Sequence, residues 1–301
     1  MRLPLTILAV ALITMPARAS ELTGTLQKIK ETNKIILGIQ EASVPFSYLD
    51  GNQKAIGYAV DICMRIVDAV KREINVANVT VETLPVTSSN RIPLMMNGTV
   101  DLVCSSTTNN VDRQRQVAFT NSHFLSATRF ATRKSDSIAT IDQLKGKPVV
   151  AISGSTNMVQ LNQVNTARNL GITPLAAKDQ AEAFLMLETG RAAAYVLDDV
   201  QLAVAIARSK DPSAYRISEE ALSKAEPYGI MLRKDDAPFK AVADRATAEL
   251  YRGPDIEVIY KKWFEAPVPP NGLNFNTPVS AVLRNAFAHP SDSGDPASYE
   301  R

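Results

Sequence analysis

Val100-Asp101-Leu102-Val103-Cys104 runs straight into Ser105-Ser106-Thr107-Thr108-Asn109-Asn110-Val111-Asp112-Arg113. Val100–Cys104 reads as a strand, and Ser105–Arg113 as a hydroxyl-rich turn into a helix start. A helix start offers free backbone N–H groups and the positive end of the dipole, a setting that suits a carboxylate. Hydroxyls add donors, and Arg113 adds a candidate bidentate clamp. A second turn of this kind comes after Pro148–Ile152, a strand leading into Gly154-Ser155-Thr156-Asn157 and a helix to about Leu170. Helix capping alone accounts for either turn. Two of them, at strand ends in the two halves of an α/β chain, describe a ligand cleft.

Outward from these turns, short β-rich runs alternate with helical patterns. Strands are expected at Lys34–Ile39, Val79–Leu84 and 124–132. A helix is expected over Tyr58–Ile74, with Val60, Met64, Val67, Val70 and Ile74 on one face. The pattern restarts near 133, with strands at Ile172–Leu175 and Ala193–Leu197 and helices at Gln180–Leu187 and Asp199–Ser209. A strand at Tyr228–Leu232 and two helices, near Phe239–Tyr251 and Asp255–Phe264, close the pattern. The polar end, around His289–Pro296, reads as partly disordered. Cys63 falls on a helix and Cys104 at a strand end, and two buried free thiols are expected in preference to a bridge.

The beginning reads as an export signal. Arg2 precedes an apolar run from Leu5 to Met15, and Ala17-Arg18-Ala19 has the small-x-small form of a cleavage site after Ala19. The run is too short for a stable membrane anchor. The whole chain carries 33 basic and 31 acidic residues, and removing Arg2 and Arg18 leaves 31 of each. A neutral chain argues against a nucleic-acid partner. His123 and His289 are the only histidines, and neither a Gly-x-Ser-x-Gly elbow nor clustered metal ligands are present. No catalytic residue, metal or cofactor is therefore expected. Asp198, after the apolar strand Ala193–Leu197, is a candidate for an ammonium group, with Asp199 left as the cap. Arg91, just inside a short helix where it opposes the dipole, is a candidate for an anion.

These residues carry a family resemblance. The chain resembles the periplasmic amino-acid-binding proteins of ABC transporters (solute-binding protein family 3), and within them the glutamate/aspartate group. The matching stretches are Ser43–Tyr48, Gly57-Tyr58 with Asp61, Thr87–Pro93, Ser106–Arg113, Leu144–Lys147, Asp198-Asp199 and Met231–Asp236. The resemblance runs from about 25 to 275. It implies an α/β, two-lobed periplasmic-binding-protein fold (type II) with two hinge strands. Lobe one would hold 20–129 plus 230–275 and lobe two 130–229, with hinges near Arg129–Ala131 and Gly229–Met231. Residues 276–301 would form a partly disordered tail. The resemblance also implies a monomeric periplasmic protein that delivers an amino acid to an inner-membrane ABC permease. A dehydratase-like secreted enzyme on the same fold and a ligand-reporting sensor component are the alternatives.

By the same resemblance, Arg113, Thr108 and Thr156 hold the ligand α-carboxylate, Asp198 and Ser106 the α-ammonium, and Ser88 and Arg91 face the ligand side chain. Two positions depart from the glutamate/aspartate pattern. Gln40 stands where the group has an arginine, and Gln180 where it has a histidine. An amide both donates and accepts, so glutamine or asparagine stands beside glutamate or aspartate as the expected ligand.

Overall fold

The computed structural model describes residues 22–300. The expected signal and its cleavage site lie outside the described residues. Helix α1 (Gly24–Thr32) leads into β1 (Lys34–Ile39) and a small antiparallel sheet of β2 (Ala42–Ser43), β3 (Ser47–Leu49) and β4 (Ala55–Ile56). Then come α2 (Tyr58–Ile74), β5 (Thr80–Pro85), α3 (Arg91–Met96), β6 (Leu102–Cys104), α4 (Val111–Gln114) and β7 (Val117–Phe119). The second half holds β8 (Phe124–Arg133), β9 (Pro148–Ile152), α5 (Thr156–Ala167), β10 (Thr173–Ala177) and α6 (Gln180–Glu188). It continues with β11 (Ala194–Asp198), α7 (Asp199–Ala207), β12 (Tyr215–Ile217) and β13 (Ala225–Tyr228). The chain then returns to the first half with β14 (Met231–Arg233), α8 (Ala237–Arg252), α9 (Asp255–Tyr260) and α10 (Ala281–Ala288).

Helix α2 shows why these residues take this form. Its apolar positions recur at helical spacing and bury Ile62, Cys63, Ile66, Val67, Val70 and Ile74, while Met64 is only partly buried. It ends where Asn75 turns left-handed (φ 54°) and its N–H bonds back to the Lys71 and Arg72 carbonyls. In the second half, β9 and β11 obey a period of two. Val149, Ala151, Ala194 and Val196 pack on one face, and Val150, Ile152, Tyr195 and Leu197 on the other.

Two sheets result. The first has the order β5-β1-β6-β14-β7, with β1 parallel to both β5 and β6. The second has the order β10-β9-β11-β8-β12, with β9 parallel to β10 and β11, and β13 also paired to β8. The chain passes between the sheets at 120–123 and 229–230, where the Thr120 N–H donates to the Ile230 carbonyl (2.9 Å) and the His123 N–H to that of Tyr228 (2.8 Å). The hinge expected at Arg129–Ala131 lies inside the second sheet, paired to β11. The strand expected over Tyr228–Leu232 is likewise broken at Gly229-Ile230, because its two ends belong to different sheets. Among the described residues no helix is long and apolar enough to cross a membrane.

Two further expectations are corrected. Cys63 and Cys104 form a disulfide, with Cα atoms 6.1 Å apart. They are 41 residues apart in sequence, and only the packing of α2 on β6 brings them together. The tail is ordered through residue 300. Helix α10 lays Leu283 and Phe287 on the core, Phe287 meets Tyr251 with ring centroids 5.4 Å apart, and Tyr299 is buried. A few anchors at helical spacing suffice in a segment whose average composition is polar.

Candidate functional site

Each parallel strand delivers residues to one crevice, at its carboxyl end. In the first sheet, β1 ends before Gln40, β5 before Ser88 and Arg91, and β6 before Ser106 and Thr108. In the second, β9 ends before Thr156, β10 before Gln180, and β11 at Asp198. These eight residues line one small cavity between the halves, together with Ile152, Ser155, Asn157, Leu197 and Gln201. Arg113, the ninth expected residue, stands behind Thr108 and is not among the lining residues. Its guanidinium donates to the Thr108 carbonyl (2.9 Å) and, across the crevice, to the Gly154 carbonyl (3.4 Å).

Capping and cavity lining fall to different residues of the two turns. Asn110 caps α4 by accepting from the Arg113 N–H (2.9 Å), and Ser155 caps α5 by accepting from the Met158 N–H (3.1 Å). Thr108 and Thr156 are thereby left to meet, hydroxyl to hydroxyl, at 3.2 Å. Gly154 lies against the first half, where a Cβ would stand 2.6 Å from Ser89 Cα. With φ +74°, the position demands glycine on both counts.

The site is rich in buried charge. Arg91 is 3% exposed; among the described residues its guanidinium donates only to the Thr107 hydroxyl (3.0 Å), and its Nε has no partner. Burial pushes it well below the usual arginine range, with the Arg113 charge adding to that and Asp198 opposing it. Burial also lowers Arg113, to about 10, against the attraction of Glu226 and Asp198. Neither guanidinium makes an ion pair with a carboxylate among the described residues. Asp198 is 4% exposed and accepts from Tyr228, Asn157 (2.7 Å) and Thr128 (3.2 Å). Burial raises its carboxyl, and these hydrogen bonds draw it back. The Asp199 side chain does not cap α7 from outside. It is the first helical residue and bonds its own neighbour, the Val200 N–H (2.7 Å), and Ser126 (2.5 Å).

Gln180 donates across the crevice to Ser43 (3.2 Å), and the buried Gln40 Oε1 accepts no hydrogen bond among the described residues. Sequence reasoning missed Gln201, whose amide donates to Ser43 (2.8 Å) and Ser106 (3.0 Å) across the same crevice. Its signal was present, as the one polar residue in the apolar run Val200–Ala207. Asn157, which orients Asp198, was also missed. Such an arrangement suits a zwitterion, because the buried Arg91 and Asp198 face one cavity and the buried Arg113 stands directly behind it.

Comparison with known proteins places the chain in a family. The family model described as bacterial extracellular solute-binding proteins, family 3, matches residues 35–266. The L-glutamate/L-aspartate-binding protein of Pseudomonas aeruginosa is 45% identical over 288 residues, 95% of each chain. The glutamate/aspartate import solute-binding protein of Escherichia coli K12 is 42% identical over 290 residues, 95% of this chain and 96% of that one. Among solved structures, an ancestral arginine-binding protein bound to arginine superposes with a TM-score of 0.69 at 27% identity, covering 77% of this chain and 98% of that one.

Proposed function

The chain belongs to the bacterial extracellular solute-binding proteins, family 3, and we propose that it captures L-amino acids for an ABC importer, acidic ones most tightly. The fold is the two-lobed periplasmic-binding-protein type, and the activity is capture and release of a solute, not catalysis. The relatives' names give glutamate and aspartate as their ligands. The observation that carries the same choice for this chain is Arg91. Arg113 with Thr108 and Thr156 takes the α-carboxylate, and Asp198 with Ser106 takes the α-ammonium. Those two pairings leave Arg91 buried and uncompensated, and a side-chain carboxylate near Ser88 supplies its partner. A neutral ligand would leave that cation unpaired, at a cost of several kcal/mol.

One observation favours a second, weaker ligand class. The free acceptor Gln40 Oε1 suits a donor on the ligand, as a glutamine or asparagine side chain provides. Calorimetry with glutamate, aspartate, glutamine and asparagine tests both readings. Glutamate or aspartate is expected to bind at least tenfold more tightly than either amide. An amide that binds as tightly as the acids overturns the role given to Arg91. Export to the periplasm with cleavage after Ala19, a monomeric state and delivery to a membrane permease complete the proposal. Mass spectrometry of the exported protein checks the cleavage, and uptake in cells lacking the protein checks the delivery.

A further inference from the structure

The turn that carries Thr108 and Arg113 is covered by the end of the chain. From α10 the backbone runs to Asp292, whose carboxylate pairs with Lys240 (2.8 Å). The Asp292 carbonyl accepts from Asn109 Nδ2 and Gln114 Nε2, both at 2.8 Å. Gly294 then lies flat on the turn, where a Cβ would stand 2.9 Å from the Asn110 carbonyl carbon and 3.0 Å from the Val111 nitrogen. Beside it, the Ser122 N–H donates to the Ser291 carbonyl (2.8 Å), and the Tyr299 hydroxyl lies 2.7 Å from Ser122 Oγ. The same hydroxyl reaches the Ser291 and Ser293 carbonyls at 3.0 Å each. Lys224, on the approach to β13, pairs with Glu300 at 2.9 Å. That pair is mostly exposed and contributes little.

We propose that residues 290–300 form a clasp that holds the Thr108–Arg113 turn in its ligand-binding geometry, with Gly294 and Tyr299 as positioning residues acting through Arg113. The clasp grips the turn on both sides of Asn110, the residue whose side chain receives the Arg113 N–H. It also grips Ser122, in the segment that crosses to the second half. Lost clasp contacts free the turn without removing any group that faces the cavity. The inference rests on the reading of Arg113 as the α-carboxylate partner.

The test compares the full-length parent with Gly294→Val and Tyr299→Phe. L-Glutamate and L-glutamine affinities are read by calorimetry well below each melting point, and hydrogen exchange follows the 109–114 amides. Gly294→Val is expected to weaken both ligands threefold or more, to a similar degree because the α-carboxylate is common to both, and to speed exchange at 109–114. An affinity change below threefold, or unchanged exchange in the turn, overturns the clasp. If Gly294→Val does not fold, Tyr299→Phe, which removes one hydroxyl, decides by the same criteria. A parent that binds no amino acid overturns the functional reading instead. The exchange comparison then still decides for or against the clasp.

Discussion

Arg91 stands at the first position of α3, where a cation opposes the helix dipole, and is buried there with Thr107 as its hydrogen-bond partner. Such a residue is retained at a cost to stability, which a bound anion repays. Arg91→Gln is expected to lower glutamate affinity at least tenfold, about 1.4 kcal/mol, while leaving glutamine affinity nearly unchanged. Calorimetry reads both, and an equal loss for the two ligands would assign Arg91 to the common amino-acid frame. Arg113→Ala is expected to abolish binding of every amino acid, and affinity retained within tenfold contradicts its role. His123 and Glu226 set opposing pH dependences. His123 is wholly buried and pushed down to about 3, so the folded state binds fewer protons than the unfolded chain. Its contribution is full above about 6.5 and is lost as pH falls toward 3. Glu226, buried beside Gln160, is pushed up to about 7, so its contribution is lost as pH rises from about 4.5 through 7. Glu226→Gln is therefore expected to raise the melting temperature at pH 8 more than at pH 5. His123→Phe is expected to blunt the fall in melting temperature below pH 6. Melting curves across pH 4–9 check both.

At the scale of elements, periodicity carried far. Tyr58–Ile74 and Pro148–Ile152 form the helix and strand that the residue pattern predicts, with the same bounds. Elements whose partners are distant were less legible. The strands of the β2-β3-β4 sheet are two or three residues long and exist only by pairing with one another. The break at Gly229-Ile230 reflects which sheet each side joins, a matter of topology that local composition does not encode. The disulfide belongs here too, since α2 must pack on β6 before Cys63 and Cys104 meet. Replacing both cysteines with alanine is expected to cost about 2–4 kcal/mol, read by urea unfolding. Thiol titration of the unfolded, unreduced protein is expected to find no free thiol, and two would restore the reading from sequence. Gln201 shows how an element hides a function. On α7 it looks like one polar residue on a helix, yet in the structure it joins Ser43 and Ser106 of the other half. Gln201→Ala is expected to weaken all ligands alike by about 1–2 kcal/mol, from two lost buried hydrogen bonds. Dissociation rates check this, and a change in the glutamate-to-glutamine ratio would place Gln201 on the ligand instead.

At the scale of the molecule, the halves touch through the two turns. The Thr108–Thr156 and Arg113–Gly154 contacts and the Gly154–Ser89 packing all cross the crevice. On the roles proposed for Arg113 and Asp198, a ligand that bridges them would stabilise this closed arrangement over an open one, by its differential affinity for the two. Small-angle scattering is expected to show a smaller radius of gyration with L-glutamate than without, and identical curves at saturation would remove hinge closure from the mechanism. The amino-acid sequence by itself determined most of the alternation of strands and helices, the two hydroxyl-rich turns and eight of the side chains that meet at the crevice. These features arise from local periodicity, turn chemistry and charged groups placed at strand ends. Tertiary structure alone decided the pairing of the cysteines, the crossing points between sheets, the packing of the C-terminal segment on the Thr108–Arg113 turn and the absence, among the described residues, of an ion pair to Arg91. Each depends on which distant segments come into contact, and burial and pairing exist only once those contacts form.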